Sequence, residues 1–280
     1  MNTLKDKVAV ITGAGSGIGR ELAVQFAGMG AVVAIADIHA ERLSETANII
    51  AHQGGQVSTH VVDVSQRDAV YRFADEVIGQ HGATHIVINN AGVALSNVRV
   101  QDLTYEDFEW ILGINLWGVI YSTKAFLPHL LKQPEANLVN VSSVYGLTAA
   151  AKAAAYCTSK FAVRGFTEAL RQELRQTSVA VTVVHPGGIR TNIARNSRQA
   201  TYGDPISDPE RAIRNFEERA QTTASEAARV IIEGIKRNAP RVLIGTDAKL
   251  LDILARVKPG AYDSFIMKHI VSRDEKAYPN

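Results

Sequence analysis

Apolar and polar positions along the chain alternate between short β-branched runs and helix-length amphipathic segments. The runs KVAVIT (7–12), AVVAIAD (31–37), QVSTHVVD (56–63), HIVINN (85–90), NLVNVSS (137–143), VAVTVVH (179–185) and RVLIG (241–245) predict strands. Their Val and Ile content fits strands covered on both faces, as in a parallel sheet under helices. Segments 17–29, 40–52, 67–81, 105–127, 154–176 and 223–237 predict helices between them. That order predicts one α/β domain over 1–280, a doubly wound, mostly parallel seven-stranded sheet with helices on both faces. The irregular stretch is about 187–222, which is Arg-rich and contains SDPE, a helix N-cap followed by proline in the first turn. Lying before the last strand, it suits a substrate lid, and a plain surface loop suits it equally.

Composition narrows the function classes. The 280 residues carry 30 basic and 28 acidic side chains, a formal charge of +2, too balanced to single out nucleic acid or a membrane surface as partner. No apolar run approaches the roughly 18 residues of a membrane span, and the polar start MNTLKDKVAVITG carries no signal-peptide pattern. A single cysteine, Cys157, excludes an intrachain disulfide and points to a reducing cytoplasm. It lies about 100° round its helix from Tyr156 and reads as a packing residue.

Between the first strand and first helix lies TGAGSGIG (12–19), where Gly13, Gly17 and Gly19 surround Ser16 and Ile18. The spacing G-x-x-x-G-x-G differs from the common dinucleotide fingerprint, but the physics is shared. Glycines permit a tight strand-to-helix turn and bring backbone N–H groups to a pyrophosphate at the helix N-terminus. The second strand ends at Asp37, about 20 residues on, where a carboxylate accepts hydrogen bonds from adenosine ribose hydroxyls. Asp37 could equally cap the helix starting near Ala40. A carboxylate there opposes a 2′-phosphate; Ile38 follows it, and Arg42 is the only nearby cation, so NAD is expected in preference to NADP.

The stretch AAAYCTSKFA (153–162) sets Tyr156 and Lys160 four residues apart in a helical segment, hence on one face. Taken alone, a core tyrosine with a lysine snorkelling past it explains the pair. A catalytic phenol explains it as well. Removing the hydroxyl proton of a carbinol requires a base, and a free phenol with pKa near 10 is a poor one. Lowering that value by about 3 units takes about 4 kcal/mol. A cation roughly 4 Å away supplies about that much at an effective dielectric near 20.

TGAGSGIG, Asp63-Val64, NNAG (89–92), Asn115 in INLWG, Ser143 in NVSSVYG, YCTSK (156–160) and PGGIRT (186–191) occur in order, each at a strand end or on the expected helix. In these motifs the chain resembles the single-domain branch of the short-chain dehydrogenase/reductase family, from about residue 5 to 192. The resemblance implies a Rossmann-like fold and NAD-dependent interconversion of a secondary alcohol and a ketone. It implies Tyr156 as acid/base, with Lys160 lowering its pKa and gripping the nicotinamide ribose. Ser143, 13 residues before Tyr156, would bind the substrate oxygen; Ser142 points to the opposite face. Asn115, polar within an apolar helix, would hold a water relaying protons from Lys160, or else merely bend the helix. Asp63 and Val64 would contact adenine. In NNAG, Asn89, Ala91 and Gly92 would face the cofactor across from the glycine turn, where strand order reverses. Pro186 and Gly187 lead into Ile189 and Thr191, which would receive the nicotinamide carboxamide. No metal is implied.

Two other functions use the same fold. A catalytically silent NAD-binding regulator would be expected to lack one of Asn115, Ser143, Tyr156 and Lys160, all of which are present. A sugar-nucleotide epimerase would want another glycine spacing and a larger C-terminal domain. Val93, Ala94, Leu95, Ala149, Ala150, Ala151 and Ala153 flank the motifs and suggest an apolar small-molecule substrate, while Arg190, Arg195 and Arg198 keep a carboxylate in play. The extension 246–280 carries Leu250, Leu251, Ile253, Leu254 and Val257 at helical spacing, then Phe265, Ile266, Met267, Ile270 and Val271. It suits packing on the core or a second subunit, a wall over the pocket, or, last, a membrane surface. By resemblance, 105–130 and 154–176 would pair across a dimer or homotetramer.

Overall fold

In the computed structural model, which describes residues 1, 3–200, 209–260 and 262, the first strand is buried along its whole length. This strand, β1 (Val8–Thr12), sends Ala9 and Ile11 to one face of the sheet and Val8 and Val10 to the other. Each face therefore needs its own cover. Helices α1 (Gly17–Gly28), α2 (Ala40–His52) and α8 (Ala224–Lys236) supply the first through Leu22, Phe26, Leu43, Ile50, Ile231, Ile232 and Ile235. Helices α3 (Arg67–His81), α5 (Gly118–Leu130) and α6 (Ala154–Glu173) supply the second through Phe73, Val77, Phe126, Leu130 and Leu170. Each of these large side chains is worth about 1.5–3 kcal/mol when fully buried, so both layers contribute strongly.

The remaining strands of the main sheet are β2 (Val32–Asp37), β3 (Gln56–Val61), β4 (Ile86–Asn89), β5 (Ala136–Val141), β6 (Val179–Pro186) and β9 (Arg241–Ile244). Their order is β3-β2-β1-β4-β5-β6-β9, and every pairing is parallel. All seven predicted strands are present. The order reverses between β1 and β4, which opens a crevice at their carboxyl ends, where sheets of this type receive ligands.

One helix differs from expectation. The span 105–127 is not continuous: α4 (Tyr105–Leu112) runs into a π segment, Gly113–Trp117, before α5 begins. Asn115 lies in the π segment, fully buried, and its amide is committed to other backbone groups. The wider turn accommodates a polar side chain where a regular helix would set it against apolar packing, and such bulges collect at functional sites.

The region 187–222 holds a two-stranded parallel ribbon, β7 (Ile189–Arg190) with β8 (Thr222–Thr223), and helix α7 (Pro209–Arg219). Helix α7 starts at the expected proline; the proposed Ser207–Asp208 cap lies outside the described residues. Helix α9 (Thr246–Val257) follows β9 and buries Ala248 and Leu251 against Val144, Tyr145, Ala150 and Tyr262. The second apolar group, Phe265 to Val271, lies outside the described residues. Among the described residues no helix is long and apolar enough to cross a membrane.

Candidate active site

The turn after β1 is closed by contacts that only glycine allows. Gly13 has φ +66°, and a Cβ there would stand 2.7 Å from the Ala91 Cα. A Cβ on Gly19 would run into the Gly13 carbonyl oxygen. Side chains wider than hydrogen at either position would push the turn away from NNAG, so the backbone itself lines this part of the crevice. Arg20 fastens the turn: its guanidinium donates to the Gly15 carbonyl at 2.6 Å and pairs with Glu45 at 2.7 Å. Thr191, from the loop after β6, reaches the same turn and lies 3.2 Å from a Cβ built on Gly17.

Asp37 stands at the carboxyl end of β2 with its Oδ2 accepting from the Gly15 N–H at 2.9 Å and its Oδ1 from the His39 N–H at 3.0 Å. It does not cap α2; His39 occupies the N-cap position without a side-chain cap. The carboxylate is thus turned toward the glycine turn, while Ile38 beside it is exposed. Just past the neighbouring strand β3, Asp63 Oδ1 accepts from the Ser65 N–H at 2.9 Å and the Ser65 hydroxyl at 2.7 Å. Val64 packs on Gly118 at the start of α5.

NNAG divides its two asparagines, and the expectation for the first needs correcting. The Asn89 side chain does not face the crevice: its Nδ2 donates to Asn140 Oδ1 at 2.8 Å and Thr123 Oγ1 at 3.1 Å inside the sheet. Asn140 passes the chain to Thr167 at 2.9 Å, tying β4, β5 and α6 together through buried polar groups. The side chain at the glycine turn is Asn90, which donates to the carbonyls of Thr12 (2.9 Å) and Gly13 (3.2 Å). Alternation decides this, since successive strand residues face opposite sides. Asn89 is directly paired with Asn140 and shares its covered side.

Gly92 carries the chain past the most buried part of the site, where a Cβ would meet Asn115 Oδ1 at 3.2 Å and Lys160 Nζ at 3.3 Å. The Asn115 amide clasps Val93 at both ends, accepting from its N–H at 2.8 Å and donating to its carbonyl at 3.0 Å, and also donates to Ser159 Oγ at 3.1 Å.

Tyr156 and Lys160 share one face of α6, as their spacing requires. The ammonium lies 5.7 Å from the Tyr156 ring centre and donates to the Val141 carbonyl at 3.1 Å. Ser143 caps a short 3₁₀ turn, Val144–Gly146, accepting from the Tyr145 N–H at 3.1 Å, and its hydroxyl acts on the Tyr156 phenol. Ser142 faces the other way and donates to the Lys160 carbonyl at 2.7 Å. The choice between the two serines follows from strand alternation.

The titration of this pair runs opposite to the sequence expectation. Burial pushes the Tyr156 phenol up to about 12, and the Ser143 hydroxyl only partly offsets it. Burial also lowers the Lys160 ammonium to about 8. The cation sits over the ring rather than at the oxygen, so desolvation of the phenolate outweighs the attraction that was to lower it. In the protein alone the phenol is therefore protonated at neutral pH.

Several contacts escaped the sequence reading. The Tyr145 ring meets that of Tyr156 edge-on at 6.2 Å and joins the site to α9. At the start of α9, Asp247 accepts from the Gly188 N–H at 2.6 Å, and its carboxylate fills the space beside Gly187, just after Pro186. Arg198 bridges the loop after β4: Leu95 pairs with it, its guanidinium lies 5.1 Å from the Trp110 ring, and it forms an ion pair with Asp107 at 3.6 Å. A small cleft beside Tyr156 is lined by Leu95, Ser96, Val98, Leu103 and Lys152. Leu95 and the adjoining Ala153 were expected there; Lys152, with φ +63°, was not. Cys157 is buried, as a packing residue would be.

The model of the family described as short chain dehydrogenase matches residues 7–201. The chain is 42% identical over 269 residues to the Mycobacterium tuberculosis protein SadH, which bears an oxidoreductase name, covering 95% of this chain and 96% of SadH. A Lactiplantibacillus plantarum protein named CLA biosynthesis dehydrogenase/reductase is 35% identical over 214 residues, covering 75% of this chain and 74% of its own. The crystal structure of a short-chain dehydrogenase/reductase from Burkholderia phymatum in complex with NAD superposes with a TM-score of 0.83 at 30% identity, covering 91% of this chain and 95% of that one. A glycine turn facing NNAG, with Ser143, Tyr156 and Lys160 assembled beside it, belongs to the same pattern. The chain is a member of the short-chain dehydrogenase family of oxidoreductases.

Proposed function

We propose that the chain is an NAD(H)-dependent oxidoreductase that interconverts a secondary alcohol and a ketone on an apolar small molecule. The observation that carries this reading is the Tyr156–Lys160 pair on one face of α6, the ammonium 5.7 Å from the phenol ring centre, with Ser143 acting on the phenol. The dinucleotide fits the residues present: Gly13 and Gly19 leave room for nothing but backbone at the turn, and Asp37 is aimed at it. Gly13, Ser16, Gly17, Ile18 and Gly19 would hold the pyrophosphate, Asp37 the adenosine ribose, and Asp63 with Val64 the adenine edge. Ala91, Gly92, Pro186, Gly187, Ile189 and Thr191 would flank the nicotinamide half, with Lys160 on its ribose. The Asp37 carboxylate beside exposed Ile38 supports NAD over NADP.

When bound, the nicotinamide carries the hydride. The chain's own residues manage the proton. Ser143 Oγ orients the substrate oxygen, and Tyr156 Oη gives a proton to a ketone oxygen or takes one from an alcohol. With the phenol protonated at neutral pH, the site is set for the reductive direction. Asn115 fixes the backbone at Val93 through both ends of its amide. The cleft at Leu95, Val98 and Leu103 supports an apolar substrate.

A cytoplasmic homotetramer or dimer is part of the same reading. Exposed Tyr105, Trp117 and Phe161 on α4, the π segment and α6 support pairing through those helices. Light scattering at micromolar concentration reads the assembly, and a monomer contradicts it. The activity is tested with a panel of secondary alcohols and ketones of graded size, followed through NADH absorbance. No turnover with any of them, despite measured NADH binding, defeats the proposal and leaves a silent NAD-binding protein.

A further inference from the structure

His185 is the one fully buried histidine of β6, and no role assigned above uses it. Its Nδ1 meets the Ser143 carbonyl oxygen at 2.9 Å. A carbonyl can only accept, so Nδ1 carries the proton and Nε2 is left as an acceptor. No protein group among the described residues reaches Nε2.

The groups around the ring are charged. In the sheet, His185 pairs with Leu243, which places Arg241 on the same side one alternation back along β9. Arg241 Nε is likewise buried without a partner, while its terminal nitrogen pairs with Asp252 of α9. Asp252 also takes Arg256 at 3.2 Å. Arg164 of α6, bonded to Glu168 at 3.0 Å, is the remaining charge that bears on His185. A lone-pair acceptor and an N–H donor, both buried and both unmatched, stand on one face of adjacent strands. A single bridging water satisfies both. Burial chiefly, with Arg241 and Arg164, holds the ring well below its usual range, at about 4, against the smaller opposing pull of the Ser143 carbonyl and Asp252.

We propose that His185 is a positioning residue for the substrate-binding serine: its Nδ1–H holds the Ser143 carbonyl, its Nε2 is linked to Arg241 through a bridging water, and Asp252 thereby ties helix α9 to the active site. The inference rests on the proposed oxidoreductase reading for its kinetic effect, though not for its tautomer. Ser143 must hold its Oγ against Tyr156, and displacements near 1 Å at such a position cost about a hundredfold in rate.

The test compares His185→Asn, which keeps a donor near Nδ1, with His185→Leu, which has none. The substrate is whichever panel alcohol the wild type turns over, with NADH binding followed by fluorescence. The expected result is a fall in kcat of about ten- to a hundredfold for His185→Leu, unchanged NADH affinity, and substantial recovery in His185→Asn. Wild-type kcat in His185→Leu, or equal loss in both variants with NADH binding intact, overturns the proposal. If His185→Leu does not fold, the wild type still decides through nitrogen-15 NMR of its histidine rings. A neutral His185 protonated on Nδ1 at pH 7 is expected, and an Nε2–H tautomer or an imidazolium overturns it. Absence of any alcohol turnover in the wild type would defeat the oxidoreductase reading and leave the tautomer measurement to judge this one.

Discussion

Lys160 holds its ammonium over the face of the Tyr156 ring, 5.7 Å from its centre, and donates instead to the Val141 carbonyl at 3.1 Å. The cation is close enough to influence the phenol but is not bonded to it. Burial wins in the protein alone and leaves the phenol at about 12. A lower working value therefore needs the positive nicotinamide ring of NAD⁺ in addition to Lys160. Alcohol oxidation should rise with pH through that working value, and ketone reduction, which needs the protonated phenol, should fall over the same range. In Lys160→Met both limbs should move upward. Profiles of kcat/KM that coincide for the two proteins would show that Lys160 does not tune the phenol.

Tyr156→Phe removes the proton-carrying oxygen and little else. Turnover should drop by about a thousandfold or more, within the range of a lost general acid and the positioning it provides, while NADH affinity changes less than about twofold. Single-turnover kinetics and fluorescence titration measure the two quantities separately. Substantial kcat in this variant rules out the mechanism.

Lys160 also makes a prediction about stability. Its pKa is about 8 when folded against an ordinary lysine value of 10.5, so the unfolded chain binds more protons between those values. Stability then rises with pH across that window. Measured against Lys160→Met, the wild type should gain up to about 3 kcal/mol between pH 8 and 10.5, since each unit is worth about 1.4 kcal/mol. Tyr156, raised in both proteins, cancels in the comparison. Urea denaturation at several pH values reads the difference. A flat difference would mean that the ammonium is well solvated.

Cofactor choice turns on two adjacent residues. Wild type should favour NAD over NADP by at least about tenfold in kcat/KM. Asp37→Ser with Ile38→Arg should narrow or reverse this, by removing the carboxylate and supplying a phosphate partner. A wild type that prefers NADP contradicts the role given to Asp37.

Arg198 is expected to act on substrate binding. Its contacts with Trp110 and Asp107 anchor the chain after β7 over the cleft, and a partly exposed cation–π contact is worth about 0.5–2 kcal/mol. Arg198→Ala should raise KM for the alcohol by about threefold to tenfold and leave NADH binding unchanged. A variant changed in NADH affinity alone would place Arg198 with the cofactor instead.

Strand and helix positions were legible because burial on both sheet faces leaves a direct imprint, as the all-buried VAVIT of β1 does. Tyr156 and Lys160 were legible because helical spacing brings them together, and Ser143 because alternation separates it from Ser142. The role of Asn89 was misread: two adjacent asparagines offer no sign of which one faces the sheet interior until the pairing with Asn140 is known. Tyr145 and His185 were missed, and the engagement of Arg198 with Asp107 and Trp110 was not foreseen, for a related reason. Their partners lie in α9, β9 and α4, distant in sequence, and no local pattern announces such contacts. The sign of the Tyr156 shift was also out of reach, since it depends on how much water the folded site excludes.

The pairing of Leu95 with Arg198 joins two segments about a hundred residues apart into one wall of the cleft. Ser96 N–H donates to the Arg198 carbonyl, Arg198 N–H to the Ala94 carbonyl, and Ala200 N–H to the Ser96 hydroxyl. Neither segment can be exchanged without disturbing the other. A chimaera that takes the 93–98 loop from a relative with a different substrate range, and keeps its own 191–200, should lose activity toward both substrate sets. Transplanting both segments together should carry the donor's preference across. Evolution of new substrate ranges on this scaffold would then proceed by paired changes at these two stretches, and substitutions confined to one of them would be selected against.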